Sequence, residues 1–447
     1  MASNRWQRAV FLTSGMTIAA VLGAGAASAG SFGVREQSAY FLGSSFAGSA
    51  AGGDISSMFW NSAATAARAG CNASADFTTA FGQIKETAGG GSFVTGVFAP
   101  PLVVPPLSPT STGLDTTVLI PATYGTCQVT DQLYVGLGIN APFGLRTKPD
   151  NPTWAGSPFA TTSYIFTTDI NPTVAYKLTP ELTIGVGLQV EFFSARLDRG
   201  TLGSSFGPLS GARAFDADDW GVGATVGILW QPSRATSVGV GYRSAVNESP
   251  SGDYLRGASF PATPAVATTA SAGLTLPDEV TLSARQYVSP TLALLATVEW
   301  QNWSRLQNIT ATSSGCGGVC EVLHLNYRDG WFYSIGAEYA YSPWLTLRAG
   351  IAYEQSPIED SNRDIIVPDS NRVQLSTGAT YKYSEKISFD IGYSHLFFED
   401  GSFCIADAMR NGGTSHCNNA TPTGAVLLTG KTDVSADLLS VGLKYKF

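Results

Sequence analysis

Residues 439–447, the last nine of the chain, read Leu-Ser-Val-Gly-Leu-Lys-Tyr-Lys-Phe. Apolar side chains stand at every odd position, small or charged ones at every even position, and the final residue is aromatic. Successive side chains of a β-strand point to opposite faces, so this pattern predicts a membrane strand with a lipid face and a lumen face. The same two-residue period recurs along most of the chain.

The overall composition fits a wall of such strands. Only 13% of the 447 residues are charged, whereas ordinary globular domains are about one quarter charged. Outside the N-terminus no long apolar run occurs, so we expect no spanning helix, and a closed barrel is the other structure that satisfies backbone polar groups in lipid. We therefore predict an all-β protein, a 14-stranded antiparallel transmembrane β-barrel. Its expected strands are residues 71–85, 113–127, 132–142, 164–178, 181–199, 218–231, 235–248, 272–287, 290–303, 328–341, 344–355, 372–384, 386–398 and 433–447.

The first 29 residues predict a secretory signal peptide. Arg5 and Arg8 precede an apolar stretch, and Ala27-Ser28-Ala29 has the small-x-small form of a signal peptidase site. Cleavage after Ala29 removes two arginines and no acid, so the net charge of -8 becomes -10. An acidic chain favours no nucleic-acid partner. Export of a barrel points to the outer membrane of a Gram-negative bacterium, as a multi-pass protein.

Residues 30–70 predict an N-terminal hatch, a plug inside the lumen of the barrel formed by residues 71–447. In this segment 24 of 41 residues are Gly, Ala or Ser, and no alternation is visible, so it cannot face lipid. A barrel of fourteen strands is wide enough to need filling. The alternative is a disordered periplasmic tail, but six aromatic residues in the segment argue against it.

Six cysteines in an exported chain can form disulfides. Cys316 and Cys320 fall in one predicted loop, and Cys404 and Cys417 fall in another. The third pair stands at the start and end of two successive strands that form a hairpin. The three histidines show no ligand-like spacing with them, so we expect no metal site and no cofactor. The predicted disulfides are Cys71–Cys127, Cys316–Cys320 and Cys404–Cys417.

Ordered motifs spread over the chain carry a family resemblance. They are Met58-Phe59-Trp60-Asn61-Ser62-Ala63, Asn140-Ala141-Pro142-Phe143-Gly144-Leu145, Asn171-Pro172-Thr173-Val174-Ala175-Tyr176, Leu276-Pro277-Asp278-Glu279, Arg328-Asp329-Gly330-Trp331, Asp360-Ser361-Asn362-Arg363 and Val367-Pro368-Asp369. Together they resemble the FadL-type family of outer-membrane transporters for long-chain fatty acids and other hydrophobic compounds. One position departs, because the family's plug usually has Asn-Pro-Ala where this chain has Ser62 in the middle.

The resemblance implies a barrel closed by the hatch, an external capture groove between two long loops, an internal ligand pocket and a sideways exit through the wall. Hatch residues are then Phe59, Trp60, Asn61, Ser62 and Ala63. The implied activity is passive transport, most of all of long-chain fatty acids, without enzymatic chemistry. Expected partners are the hydrophobic solute, outer membrane lipid and lipopolysaccharide, and the barrel is expected to be a monomer.

Pro142, Phe143 and Gly144 are the predicted lateral gate. Proline removes a hydrogen-bond donor from its strand, and a closed barrel has no free edge where that loss is harmless. Pro142 should therefore bend or open the wall. The alternative is that Pro142 simply ends the strand and begins a loop.

Apolar residues in two long loops predict the capture groove, because contiguous apolar surface outside a membrane usually marks a contact site. Self-packing of the loops over the barrel mouth is the alternative. The candidate groove residues are Phe206 and Leu209 in one loop and Leu255 and Phe260 in the other.

Arg199 is the first candidate for binding a carboxylate head group, at a position that matches the family's ligand site, and Arg196 is the second. Either arginine could instead pair with lipopolysaccharide phosphate or with Asp198. A second family cation is missing, since Leu323 and His324 occupy its neighbourhood. This leaves room for an uncharged substrate such as an aromatic hydrocarbon.

Two other functions remain as alternatives. A general aqueous porin would need an open lumen, which the segment 30–70 argues against. A lipid hydrolase would need a nucleophile beside a base, and Ser394-His395 is the one adjacent pair on a predicted strand. Neighbouring strand residues point to opposite faces, so this pair is not expected to be catalytic.

Overall fold

The structure of the chain, a computed structural model, describes residues 31–89, 93–94, 112–114, 116–151, 154–156, 159–199, 213–257, 265–408, 413–416 and 425–447. The predicted signal peptide lies outside these ranges. Among the described residues, no helix is long and apolar enough to cross a membrane.

Fourteen antiparallel strands of the described chain close into one barrel, which confirms the predicted fold class. Each strand pairs with the next along the chain, and the last pairs with the first from Asn72–Lys446 to Ala88–Gly430. The strands are β1 (Cys71–Ala88), β2 (Thr116–Gln128), β3 (Leu133–Asn140), β4 (Thr162–Lys177), β5 (Leu182–Arg199), β6 (Arg213–Trp230), β7 (Thr236–Arg243), β8 (Glu279–Tyr287), β9 (Leu292–Gln301), β10 (Gly330–Ser342), β11 (Leu345–Gln355), β12 (Arg372–Lys382), β13 (Ile387–Phe398) and β14 (Ala425–Lys446).

Alternation along each strand separates an apolar outer face from a polar inner face. In β5, Ile184, Val186 and Leu188 are exposed, while Gln189 and Glu191 are buried. An outward apolar band with an inward polar lining is the arrangement of a barrel that stands in lipid.

Some predicted strand bounds were wrong. The segment 132–142 stops at Asn140, and 235–248 stops at Arg243 because residues 246–248 turn away to pair with 274–276. In the other direction, β6 begins at Arg213 and β14 at Ala425, several residues earlier than predicted. These two strands are longer because their outer ends pair with strands inside the long loops.

The loop strands form a hydrogen-bonded ribbon, which we call the collar, that joins β6 to β14 above the barrel. Neighbours are antiparallel except for one parallel pair at Val322–Gly413. In spatial order from β6 the collar strands are Ser251–Arg256, Val266–Ala272, Asn308–Ser313, Gly318–His324, Gly413–His416 and Gly401–Ala408. Shorter strands are Phe93–Val94, Thr112–Gly113, Gly144–Thr147, Val246–Glu248 and Leu274–Leu276.

Residues 31–67, which we call the inner segment, lie inside the barrel. Hydrogen bonds join them to strands all around the wall, for example Thr65 to Thr173 in β4, Ser62 to Thr225 in β6 and Ser45 to Ser376 in β12. The segment contains helix α1 (Ala39–Leu42) and the 3-10 helices Ser49–Ala51, Ile55–Phe59 and Ser62–Ala66. Further 3-10 turns are Trp303–Arg305 and Ser314–Cys316.

Glycines in the wall let the inner segment touch the barrel backbone directly. A Cβ atom at Gly239 would overlap the carbonyl of Ala50, and one at Gly241 would overlap the carbonyl of Trp60. Real Cβ atoms do not approach backbone so closely. The inner segment and these two strand positions therefore fit only while the wall carries glycine there.

Two of the predicted disulfides are present. Cys71 pairs with Cys127 at opposite positions of β1 and β2, and Cys316 pairs with Cys320 in the collar. Cys404 is also disulfide-bonded, while Cys417 lies outside the described residues.

Candidate functional site

An apolar cavity lies under the collar at the outer end of the barrel. It holds about 1040 Å³ of space between its lining atoms, part of which is open to solvent. Strands β4 and β5, the collar and the start of the inner segment all contribute to its lining. Its apolar side chains include Phe32, Phe159, Ile165, Phe193, Leu197 and Tyr327.

Arg199 lines this cavity at the outer end of β5 and is 8% exposed. Its Nη2 lies 2.9 Å from Oε1 of Glu321 in the collar, and Nη1 of Arg213 lies 3.4 Å from the same oxygen. Sequence reasoning singled out Arg199 but not Arg213 or Glu321. Arg213 lies opposite Arg199 in the pairing of β5 with β6, whereas Glu321 comes from a distant part of the chain, so its contact with Arg199 had no local signal.

Arg196 lies on the opposite face of β5, where its side chain is 54% exposed. Its Nε donates to Asp198 at 2.9 Å, and its Nη1 lies 3.7 Å from Asp216. Because side chains alternate along a strand, residues three apart cannot both face the cavity. Arg196 therefore forms the surface ion pair that was the alternative to ligand binding.

Leu255 is the one predicted capture residue that lies in the described part of the chain. Phe206, Leu209 and Phe260 lie outside the described residues, and Leu255 is 52% exposed on the outward face of the collar. Its neighbour Tyr254 is fully buried, lines the cavity and donates its hydroxyl to the carbonyl of Cys320 at 3.3 Å. The segment Ser251–Arg256 has no apolar alternation, because its apolar residues Tyr254 and Leu255 are adjacent, so no signal in the sequence pointed to Tyr254.

The wall is interrupted at the predicted gate. Strand β3 stops at Asn140, opposite Asp169, and the chain resumes pairing with β4 at Gly144, opposite Phe166. Three residues of one chain thus stand opposite two of the other, as in a β-bulge. Pro142 does more than end a strand, because Gly144–Thr147 continues along the same neighbour.

A stretch of the described chain without strand pairing flanks this interruption. Strand β2 pairs with β1 up to Thr116, but its pairing with β3 ends at Thr123–Ile139. Among the described residues, no strand pairs with the upper part of β2 on that side. Above it, the backbone N–H of Asp150 donates to the carbonyl of Gly113 at 3.0 Å. We call the unpaired stretch between β2 and Gly144–Thr147 the wall opening.

Aromatic rings connect the cavity with the wall opening. The ring of Phe32, which lines the cavity, lies 6.1 Å from that of Phe143 and 4.8 Å from that of Trp303. Trp303 also lies 5.9 Å from Phe143 and 6.4 Å from Tyr327. Aromatic side chains are therefore continuous from the cavity to the interruption.

The predicted hatch residues lie against β6 and β7. Asn61 donates to the carbonyls of Ala50 and Ile228, and its side-chain oxygen accepts from the N–H of Ala63. It thereby caps the 3-10 helix Ser62–Ala66. The departure at Ser62 adds a contact, because its hydroxyl bonds Thr225 at 2.5 Å.

Phe59 and Trp60 pack edge to face with 5.0 Å between ring centroids. The guanidinium of Arg243 lies 4.5 Å above the Phe59 ring and 2.8 Å from the carboxylate of Asp169. These contacts fix the apolar part of the inner segment against the wall.

Buried ion pairs hold the other side of the inner segment. Arg35 lies 2.8 Å from Glu299 in β9 and 3.0 Å from Glu354 in β11, and all three side chains are buried. Arg372 pairs with Glu354 at 2.5 Å and with Asp369 at 2.8 Å. These charges neutralise one another, as mixed charges on an interior wall usually do.

Asp369 also anchors Ser31 of the inner segment. Its Oδ2 accepts from the N–H of Ser31 at 2.8 Å and from the hydroxyl of Ser356 at 2.6 Å. Burial raises the pKa of this loop carboxyl, while Arg372 and the hydrogen bonds act in the opposite direction.

Ser394 and His395 do not form a catalytic pair. Ser394 is fully buried and bonds Ser376, whereas Nδ1 of His395 lies 2.8 Å from Asp437 on the outer face. The alternation of β13 separates them, as predicted.

Comparison with known proteins agrees with this geometry. Residues 20–447 match the family described as outer membrane protein transport protein (OMPP1/FadL/TodX). A long-chain fatty acid transport protein of Salmonella typhi is 28% identical over 306 residues, which are 63% of this chain and 70% of that protein. The corresponding protein of Escherichia coli K12 is 27% identical over 317 residues, 63% of this chain and 71% of that protein.

Solved structures show the same fold. A Pseudomonas aeruginosa FadL homologue superposes with a TM-score of 0.79 at 22% identity, covering 93% of this chain and all of that one. The Pseudomonas putida toluene transporter TodX gives 0.65 at 16% identity, covering 88% of this chain and 94% of that one.

Proposed function

Because this chain belongs to the OMPP1/FadL/TodX family of outer membrane transport proteins, and is thus a transporter of hydrophobic compounds and not an enzyme, we propose that it carries long-chain fatty acids. Fatty acids enter the cavity under the collar, bind with the carboxylate near Arg199, and leave through the wall opening into the membrane. The observation that carries this proposal is the position of Phe32, which lines the cavity and contacts the interrupted wall at Phe143.

Apolar burial supplies the attraction for the hydrocarbon chain, at roughly 0.8 kcal/mol for each methylene group removed from water. The carboxylate competes with Glu321 for the guanidinium groups of Arg199 and Arg213. An ionised acceptor strengthens such hydrogen bonds, and a planar guanidinium can hold a carboxylate with two of them. This favours an amphiphile with an acidic end.

The inner segment acts as the hatch in this proposal. Its contacts with strands around the wall and the overlap it would make with any side chain at Gly239 or Gly241 support a filled lumen. A filled lumen leaves a sideways path for the solute and opposes the general aqueous porin. The barrel acts as a monomer, with outer membrane lipid and lipopolysaccharide as its surroundings.

Aromatic hydrocarbons are a second candidate substrate. The rings of Phe32, Phe143, Trp303 and Tyr327 form one cluster beside the cavity, and aromatic solutes pack well on such edges. A solved structure of similar fold is that of a toluene transporter. Such a solute would use the same cavity and opening but not Arg199.

Uptake of labelled oleate and of toluene by cells with and without this protein tests the proposal. We expect the wild type to increase oleate uptake, and Arg199→Gln to reduce it about tenfold because a charged hydrogen bond is lost. Arg196→Gln is the matched control, since it removes a guanidinium of the same strand that faces away from the cavity. Equal uptake by the two variants would overturn the head-group role. The second candidate would be favoured if the wild type took up toluene but no oleate, and if Arg199→Gln left toluene uptake unchanged.

A further inference from the structure

The interrupted wall at residues 141–143 leaves backbone groups that a neighbouring strand would normally satisfy, and Gln37 of the inner segment satisfies two of them. Its Nε2 donates to the carbonyl of Ala141 at 2.7 Å, and its Oε1 accepts from the N–H of Ala141 at 3.1 Å. The same Nε2 donates to the carbonyl of Val34 at 3.0 Å. Gln37 is fully buried, so water does not compete for these bonds.

The remaining groups of the interruption are satisfied from the inner segment or from β4. The carbonyl of Pro142 accepts from the N–H of Val34 at 2.7 Å. The N–H of Phe143 donates to the hydroxyl of Thr167 at 3.0 Å. The carbonyl of Phe143 accepts from the N–H of Thr167 at 3.1 Å. Every backbone polar group of residues 141–143 thus has a partner, and in the described part of the chain none of these partners belongs to β2.

Gln37 also reaches β2, the strand on the other side of the wall opening. The hydroxyl of Tyr124, in β2, donates to the backbone carbonyl of Gln37 at 2.9 Å. Tyr124 is still paired with Gly138, one residue below Thr123–Ile139, where pairing between β2 and β3 ends. Gln37 therefore bonds the interrupted chain through its side chain, and β2 at the lower end of the wall opening through its backbone.

Gln37 is joined to the apolar path as well. Its side chain bonds Val34, which follows Gly33 in the chain, and Gly33 pairs with Phe143. The preceding residue, Phe32, lines the cavity.

We propose that Gln37 is a positioning residue that latches the interrupted chain to β2 at the lower end of the wall opening and sets the rate of solute release; this rests on the proposed exit through that opening. The latch is a property of the release step and not of the cavity, because Gln37 bonds Ala141 and Tyr124 and does not line the cavity. Binding affinity and release rate should therefore respond differently to its loss.

The test uses the full-length barrel with cis-parinaric acid as the fluorescent fatty-acid probe. Affinity is measured by titration in detergent, and release by transfer of bound probe from the barrel into phosphatidylcholine vesicles. We expect Gln37→Leu to speed release about tenfold, since several hydrogen bonds are lost, with the Kd unchanged within about twofold. Amide hydrogen exchange at Ala141 should accelerate with it.

Tyr124→Phe is a milder second variant, which removes the bond to the β2 edge alone. We expect it to speed release about threefold, and to add little to Gln37→Leu because the latch is already broken. The matched control is Ser45→Ala, which removes a hydrogen bond of the inner segment to Ser376 in β12, far from the opening.

The latch would be overturned if Gln37→Leu released the probe at the same rate as Ser45→Ala. It would also be overturned if Gln37→Leu changed the Kd and the release rate by the same factor. A blocking side chain at Gly144 separates the two levels of the argument. If Gly144→Phe stops release but Gln37→Leu leaves it unchanged, only the latch is wrong. If neither variant changes release, the proposed exit is wrong as well.

Discussion

Two sectors of the barrel wall differ in their strand pairing and in the kind of contact that they make with the inner segment. In the sector from β8 to β14 every strand pairs with both neighbours, and buried ion pairs such as Arg35 with Glu299 and Glu354 join the inner segment to it. In the sector from β2 to β4 the ladder is incomplete, and neutral hydrogen bonds such as those of Gln37 replace the missing rungs. The first sector holds the inner segment through charges in a complete ladder, whereas the second contacts it through neutral groups where the ladder is missing.

The largest expected effect lies in the complete sector. Arg35→Leu leaves the carboxylates of Glu299 and Glu354 buried with one partner fewer, a change that typically costs about 3–5 kcal/mol. We expect the amides of the inner segment to lose protection from hydrogen exchange by a similar free energy.

Arg68→Leu is the control for this prediction. Arg68 pairs with Asp54 at 3.6 Å, but its side chain is 41% exposed, and such pairs are worth about 0–1 kcal/mol. If both substitutions reduced protection equally, buried ion pairs would not be what anchors the complete sector.

A smaller effect is expected in the interrupted sector. A Cβ atom at Gly144 would lie 3.4 Å from Val34, so alanine fits there and a phenylalanine ring does not. Gly144→Phe should reduce oleate uptake about tenfold, equivalent to about 1.4 kcal/mol on the release step. Gly144→Ala serves as the control and should remain close to wild type, as measured by initial uptake rates at equal surface expression. Wild-type rates for the phenylalanine variant would mean that solutes leave elsewhere.

The smallest effect is expected from a threonine-to-valine substitution made once in each sector. The hydroxyl of Thr167 bonds the backbone of Phe143 in the interruption, and that of Thr297 in β9 bonds the N–H of Gly48. Replacing either threonine with valine should cost about 1 kcal/mol of stability. Only Thr167→Val should also change the oleate uptake rate, by about threefold. A comparable change with Thr297→Val would show that the two sectors contribute equally to transport.

Features that depend on neighbouring residues, such as the strands, could be predicted from the sequence. Alternation along 182–192 and 439–447 identified barrel strands, and the same alternation separates Arg199 from Arg196 once β5 is placed. Pro142 predicted the interruption, because a missing N–H is a property of a single residue.

Contacts between distant segments could not be predicted in this way. Glu321 meets Arg199 only because the collar brings a strand of another loop over β5, and the collar strands lack a clear apolar alternation. Gln37 looks like any polar residue in the sequence, and its role depends on an unpaired rung more than 100 positions away. Side-chain partners of this kind are fixed by tertiary packing, for which local propensity carries no signal.

The glycines that face the inner segment have a consequence for barrel evolution and engineering. At Gly239 and Gly241 the wall accepts no side chain while Ala50 and Trp60 keep their places. The glycine positions of the wall are therefore complementary in shape to the N-terminal segment. An N-terminal segment exchanged between relatives should fit inside the recipient barrel only when the recipient wall has glycine at each position that the donor backbone approaches closely. Overall sequence identity should not decide the outcome.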